Sequence, residues 1–202
     1  MTDFVTKTTS IEMTPLISQL RNLRDDAFPR ARQLGGTGQL SVYVNELIAE
    51  FDNGGVVYGV IEAQWVDEFA WCLRGGTLRE EFIGHAISSE ASRAMFSDLV
   101  LGESLCISVE ACLGLELGAI MASRLYVGGA YTREGSRNQE RDLQLGNDAA
   151  RELLGGSFDD ALIATSSVAW SPWFKDIAWD FSVFVFDRRN AELRFVCATD
   201  ED

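Results

Sequence analysis

The chain has a single histidine, His85, to act as a general base, and two nucleophile candidates, Ser108 and Cys112, near an expected strand-to-helix junction. A Ser/His or Cys/His enzyme needs nucleophile and base within hydrogen-bond reach, with a third group orienting the base. No G-x-S-x-G surrounds Ser108, and His85 shares a helical face with Leu78 and Phe82. Packing is the plainer role for it. Carboxylates are plentiful: Glu80, Glu81, Asp159, Asp160, Asp176, Asp180 and Asp187 are the notable ones. Paired acids can relay protons or hold Mg²⁺. With 31 acidic residues, however, neighbouring pairs arise from composition alone. Asp180 and Asp187 bracket an apolar run and are expected as its solvated ends.

Against this acidity stand Arg124, Arg133, Arg137 and Arg141, beside the glycine pair 128–129 and Tyr131. A helix starting near Arg133 would set Arg133, Arg137 and Arg141 on one face at four-residue spacing. Forked guanidinium donors beside a glycine-rich loop can hold a carboxylate or phosphate. Residues 131–141, with Tyr131 in front and Glu134 as a candidate base, are therefore the alternative, anion-binding segment. The plainer reading pairs these arginines with Glu134, Glu140, Asp142 and Glu152. The loop Gly35-Gly36-Thr37-Gly38 precedes a helix, where anions bind. It lacks the Lys-Ser/Thr of a P-loop and no clear strand leads into it, so an inter-helix connection is the reading.

The densest aromatic stretch is 170–180, with Trp170, Trp173 and Trp179 interleaved with Asp176 and Asp180. Exposed aromatics among acids suit the hot spot of a basic partner; tryptophans that cap a sheet are the alternative. The net charge of −14 is spread along the chain. Such a surface repels nucleic acid and anionic membrane and accelerates encounter with a basic protein. Cys72, Cys106, Cys112 and Cys197 stand singly, with no CxxC pair, and read as buried free thiols of a reducing compartment. We expect no metal and no cofactor. No signal-peptide pattern opens the sequence and no apolar run is long enough to span a bilayer, so the expected location is cytoplasmic.

These residues need a scaffold. Hydrophobic residues make up 47% of the 202, ample for a packed core. Residues 1–10 read as a polar tail or short edge strand, and 11–202 as one domain. Thr14-Pro15 starts a helix that Pro29 ends. A clear amphipathic helix runs through Leu40, Tyr43, Val44, Leu47, Ile48 and Phe51. Strands are expected over 56–61, 104–108, 125–127 and 162–168. Helices are expected over 65–73, from a Thr77/Glu80 capping box, from Val109, and from a Ser136/Gln139 capping box through Leu143 to Leu154. The helix from Val109 is apolar nearly all round, and its small residues Ala111, Gly114, Gly118 and Ala122 permit close approach, by a neighbouring helix or by a copy of itself. Phe181 to Phe186 is apolar on both faces, a strand inside a sheet. Residues 192–198 alternate, so one face is expected to be partly wet. Asp200, Glu201 and Asp202 form an acidic tail.

The expected fold is α+β, with helices packed on a small mixed sheet closed by a C-terminal antiparallel hairpin. The expected function is a non-enzymatic, acidic protein-binding module, inhibitor- or immunity-like toward a basic partner, acting through Trp170, Trp173, Asp176, Trp179 and Asp180. The alternative is a small-anion-binding enzyme or ligand sensor using Tyr131, Arg133, Arg137 and Arg141. Self-association through the small-residue helix is a third option.

Overall fold

The strand Phe181–Asp187 is buried along its whole length, as its apolar residues on both faces require, and the rest of the sheet is arranged around it. The computed structural model describes residues 23–35, 38–51, 53–64, 78–101, 107–129, 138–156 and 158–200. Within them lie β1 (Arg30–Arg32), β2 (Gly55–Glu62), β3 (Glu110–Cys112), β4 (Ala161–Ser166), β5 (Phe181–Asp187) and β6 (Glu192–Thr199). Their order is β1-β2-β6-β5-β4-β3, and every pairing is antiparallel. The fold is α+β, and β5–β6 is its closing hairpin. Among the described residues the sheet has six strands, all paired antiparallel, where a small mixed sheet was expected.

The helices are α1 (Gln39–Glu50), α2 (Glu80–Ile87), α3 (Glu90–Met95), α4 (Gly114–Val127) and α5 (Gln139–Leu153), and residues 23–27 are also helical. They cover both faces of the sheet. On one face Leu193, Phe195, Phe184 and Phe186 meet Phe82, Ile83 and Ile87 of α2, together with Phe28, Phe96 and Phe174. On the other, Val183, Val185, Val196 and Ile163 meet Tyr43 and Leu47 of α1, Leu117 and Met121 of α4, and Leu145 and Leu153 of α5. Strand residues alternate between the two cores because successive side chains leave opposite faces of the pleat. The α1 stripe Leu40, Tyr43, Val44, Leu47 is buried as its spacing demands, while Ile48 lies outside it, half exposed.

Both faces being covered overturns the wet face expected for β6. Arg194 is buried there, donating to Asp187 Oδ2 at 3.1 Å, to Glu192 Oε2 at 2.8 Å and to the Leu153 carbonyl at 3.2 Å. Asp180 and Asp187, expected as solvated strand ends, are each 1% exposed. Asp200 is fully buried rather than part of a tail, and its carboxylate accepts from the Asn53 amide. Glu201 and Asp202 lie outside the described residues.

The helix expected from Val109 begins only at Gly114. Glu110–Cys112 instead pairs with β4, Cys112 opposite Ile163. Leu113 and Leu115 are 65% and 87% exposed, so the helix is not apolar on all sides by burial. Residues 125–127, expected as a strand, finish α4. Its small residues do permit close approach, and the neighbour is α5: a Cβ on Gly146 would fall on the Ala122 backbone, and one on Gly118 on Asn147. At Gly118 and Ala122 the stripe is thus covered from within the chain, while Ala111 lies on β3 and is exposed. Ile107 and Ser108 are not in a strand, and residues 104–106 lie outside the description, as do 1–10, Thr14, Pro15 and the helix expected over 65–73.

Two helix starts shift from their expected caps. The N-cap of α2 is Arg79, so Glu80 is the first residue of the helix, and Thr77 lies outside the described residues. Asn138, not Ser136, caps α5, accepting from the Arg141 amide at 3.1 Å. On α5 Leu143 is half exposed; Leu145, Ala149, Ala150 and Leu153 form its buried stripe. Ser89 caps α3, accepting from Ser92 N at 3.2 Å while its hydroxyl donates to the Ala86 carbonyl at 2.8 Å. Ser89 is 0% exposed, and Ser89→Ala leaves the Ser92 amide without its cap, although the Ala86 carbonyl keeps the Ser89 amide at 3.3 Å. The expected loss is about 1–2 kcal/mol in urea denaturation.

Candidate functional site

The arginine segment resolves only in part. Tyr131, Arg133 and Arg137 lie outside the described residues. Asn138 is the N-cap of α5, and Arg141 is the third residue of that helix. Arg141 pairs with Glu46 of α1, and Asp142 stands 3.8 Å away. The Glu46 carboxylate raises its guanidinium above the ordinary value. Arg141 thus follows the plainer, ion-pairing reading, with Glu46 in a role the sequence did not single out. The anion position at the start of α1 is likewise filled from within: the Leu40 amide donates to Glu152 Oε2 at 2.9 Å.

The tryptophan loop, 167–180, folds back onto the sheet. Trp170 Nε1 donates to Ser182 Oγ at 2.9 Å. The Trp170 and Trp173 rings each meet Phe174 edge-on at 5.0 Å between centroids, a favoured aromatic geometry. Asp180 ties the loop down: Thr199 Oγ1 donates to its Oδ1 at 2.6 Å, and the Ile177 amide to its Oδ2 at 3.1 Å. Asp180 is therefore a loop-anchoring residue with no face toward solvent. Trp170, Trp173 and Trp179 are half-buried, and Asp176 is exposed with a left-handed backbone, φ 59°.

The nucleophile candidates separate. Cys112 packs toward the α1–α4–α5 core, whereas α2, which carries His85, covers the opposite face of the sheet. Burial first, then Glu116, pushes the Cys112 thiol up to about 11, far from a thiolate at neutral pH. Burial, reinforced by Arg24 and opposed by Glu81, lowers His85 below its ordinary value. Cys197 is fully buried, its thiol pushed up to about 12 by burial. Among the described residues no group of three His, Cys, Asp or Glu side chains could hold a metal ion, and no helix is long and apolar enough to cross a membrane.

Two features at the β3 end of the sheet were not singled out from sequence. The first is the edge itself. β3 pairs only with β4 among the described strands, and Glu110 and Ala111 are exposed. Beside them stand the exposed Leu113, Leu115 and Phe158, Phe158 lying against Gly114. An open groove runs between β3 and α4, lined by Ala111, Cys112, Leu115, Glu116 and Ala119 among others.

The second is a cleft of about 200 Å³ between the sheet and α4. Register sets its floor: Glu110 lies opposite Thr165, and Thr165 opposite Val183. The pleat turns this row, and Phe181 two residues before Val183, toward α4. One helical turn of α4 supplies Ile120 and Arg124 above it. Ser108, Ser167 and Val168 complete the rim, so the tryptophan loop begins at the cleft's mouth. No protein-family model matches the chain, and neither a curated protein nor a solved structure is significantly similar to it.

Proposed function

We propose that this chain is an acidic, non-enzymatic protein-binding module that takes an extended basic segment of a partner along the β3 edge. The observation that supports this reading is the exposed edge of β3 beside a leucine 87% exposed on the first turn of α4. An unpaired edge offers backbone donors and acceptors to an added strand, and adjacent apolar side chains give it grip. Contiguous exposed apolar residues with a polar rim are a mark of interaction surfaces. Glu110 and Glu116 flank the edge, and the chain's charge of −14 would speed capture of a basic partner, as an inhibitor- or immunity-like role requires. The tryptophan loop, with Asp176 and the outer parts of Trp173 and Trp179, is a separate surface, since Trp173 lies against Gly55 of β2, four strands from β3.

The test begins by capturing partners at low salt from a lysate of the native host, then measures the purified pair. Leu115→Asp should weaken binding by at least tenfold, and raising salt from 50 to 500 mM should slow association. Trp173→Ala and Asp176→Lys report on the loop's share. Affinity that ignores salt and all three substitutions would remove the proposal.

A further inference from the structure

We propose that the cleft between β3–β5 and α4 binds a small zwitterion of amino-acid size, its carboxylate held by Arg124 and its ammonium group facing Glu110. This binding site is separate from the protein-partner reading. It also differs from the anion segment expected at 131–141, because Arg124 lies on α4 and lines the cleft.

Arg124 is half-buried on α4, its guanidinium 5.1 Å over the Phe181 ring centroid. Its Nε is closed off from solvent and has no hydrogen-bond partner. Among the described residues it makes no salt bridge, although acids outnumber bases 31 to 17 in this chain. Elsewhere the buried guanidinium of Arg194 has two carboxylates. A half-buried cation with no anion among the described residues calls for an explanation, because the Phe181 ring offsets only part of its desolvation. Burial indeed lowers Arg124 below its ordinary value, yet a guanidinium stays protonated at neutral pH.

The missing anion cannot be Glu110 as placed. Both residues line the cleft, but no ion pair joins them. The cleft thus presents one positive and one negative group held apart, with Thr165 and Ser108 as hydroxyl partners along its walls. A planar carboxylate matches the guanidinium fork. A phosphate dianion suits the site less well, since Glu110 and the overall charge of −14 repel it. A ligand with a carboxylate and an ammonium group satisfies both ends. The volume, about 200 Å³, lies below the roughly 300–1,000 Å³ typical of drug-sized ligands, so the ligand carries few heavy atoms.

The experiment is titration calorimetry of the full chain with each of the twenty standard amino acids, with propionate and inorganic phosphate as comparators. At least one amino acid should bind ten times more tightly than propionate or phosphate. Arg124→Gln should weaken it by roughly 10- to 100-fold, the loss expected for a charge-assisted contact. Glu110→Gln, at an exposed position that leaves folding intact, should erase the preference over propionate while retaining carboxylate binding. No binding by any amino acid, or a preference that survives Glu110→Gln, overturns the proposal.

Discussion

Asp187→Ala is expected to lower folding stability by about 3–5 kcal/mol, because it leaves the buried Arg194 guanidinium without its inner carboxylate. For a chain of this size that corresponds to roughly 6–20 °C in midpoint temperature. The residue does more than pair a charge. Its Oδ1 accepts from the Arg189 and Asn190 amides at 3.0 and 3.3 Å, and its Oδ2 accepts from the Asn190 side chain at 2.8 Å. These bonds fix the β5–β6 turn, in which Ala191 takes a left-handed φ of 52°. Glu192 remains beside Arg194 in the variant, which places the loss toward the lower end of the range. Burial alone would raise the Asp187 carboxyl, but the Asn190 and Arg189 hydrogen bonds and the Arg194 charge outweigh it and hold it below the ordinary carboxylate value. The sign follows: this stability is complete above the unfolded carboxyl value near pH 4 and drains as pH falls through the lower folded value. Asp187→Asn keeps the side-chain shape but should flatten the acid limb of a stability-versus-pH curve. Denaturant melts at pH 7, 4 and 3 check both effects, and a loss from Asp187→Asn that is equal at all three would refute the ionic account.

The turn shows which parts of this fold were legible in the sequence. β2, β4, β5 and β6 announce themselves by β-branched and aromatic runs, and the α1 stripe by its 3.6-residue period. These signals are local. β6 was misread at Arg194 because alternation reports polarity, and a polar residue can be satisfied by Asp187 as well as by water. The same limit hid the burial of Asp180 and Asp200, whose partners Thr199 and Asn53 become neighbours only in the folded sheet. β3 was hidden for a related reason. Three residues, Glu-Ala-Cys, carry no period, and what makes them a strand is pairing with Ile163, Ala164 and Thr165, far along the chain. The cleft depends on that pairing twice over, since Glu110 reaches its floor only through the register with Thr165. Sequence drew attention to Arg124 by its type, but its lack of a salt bridge among the described residues is a property of the fold.

Gly146→Val is expected to destabilise by about 3 kcal/mol, and Gly146→Ala by a smaller but clear amount. A Cβ at Gly146 would stand 2.5 Å from the Ala122 amide nitrogen and 2.7 Å from its Cα. Those are backbone atoms of α4, so no rotamer change relieves the contact and the two helices must part. Overpacking of this kind costs about 1–3 kcal/mol and occasionally more. Alanine recovers up to about 1 kcal/mol through helix propensity, and valine recovers less. Gly118 is the comparison that separates the two terms. There a Cβ first meets Asn147 Oδ1, the end of a side chain that can swing away, with the Asn147 Cα at 3.1 Å. Gly118→Ala should therefore cost less than Gly146→Ala. Equal losses at the two positions, measured by urea denaturation, would mean that helix–helix distance is not what Gly146 protects. The consequence reaches the cleft, because α4 also carries Ile120 and Arg124. A Gly146→Ala protein that remains folded but holds α4 farther from α5 should bind its small ligand less well, whereas Gly118→Ala should bind it nearly as the unaltered chain does.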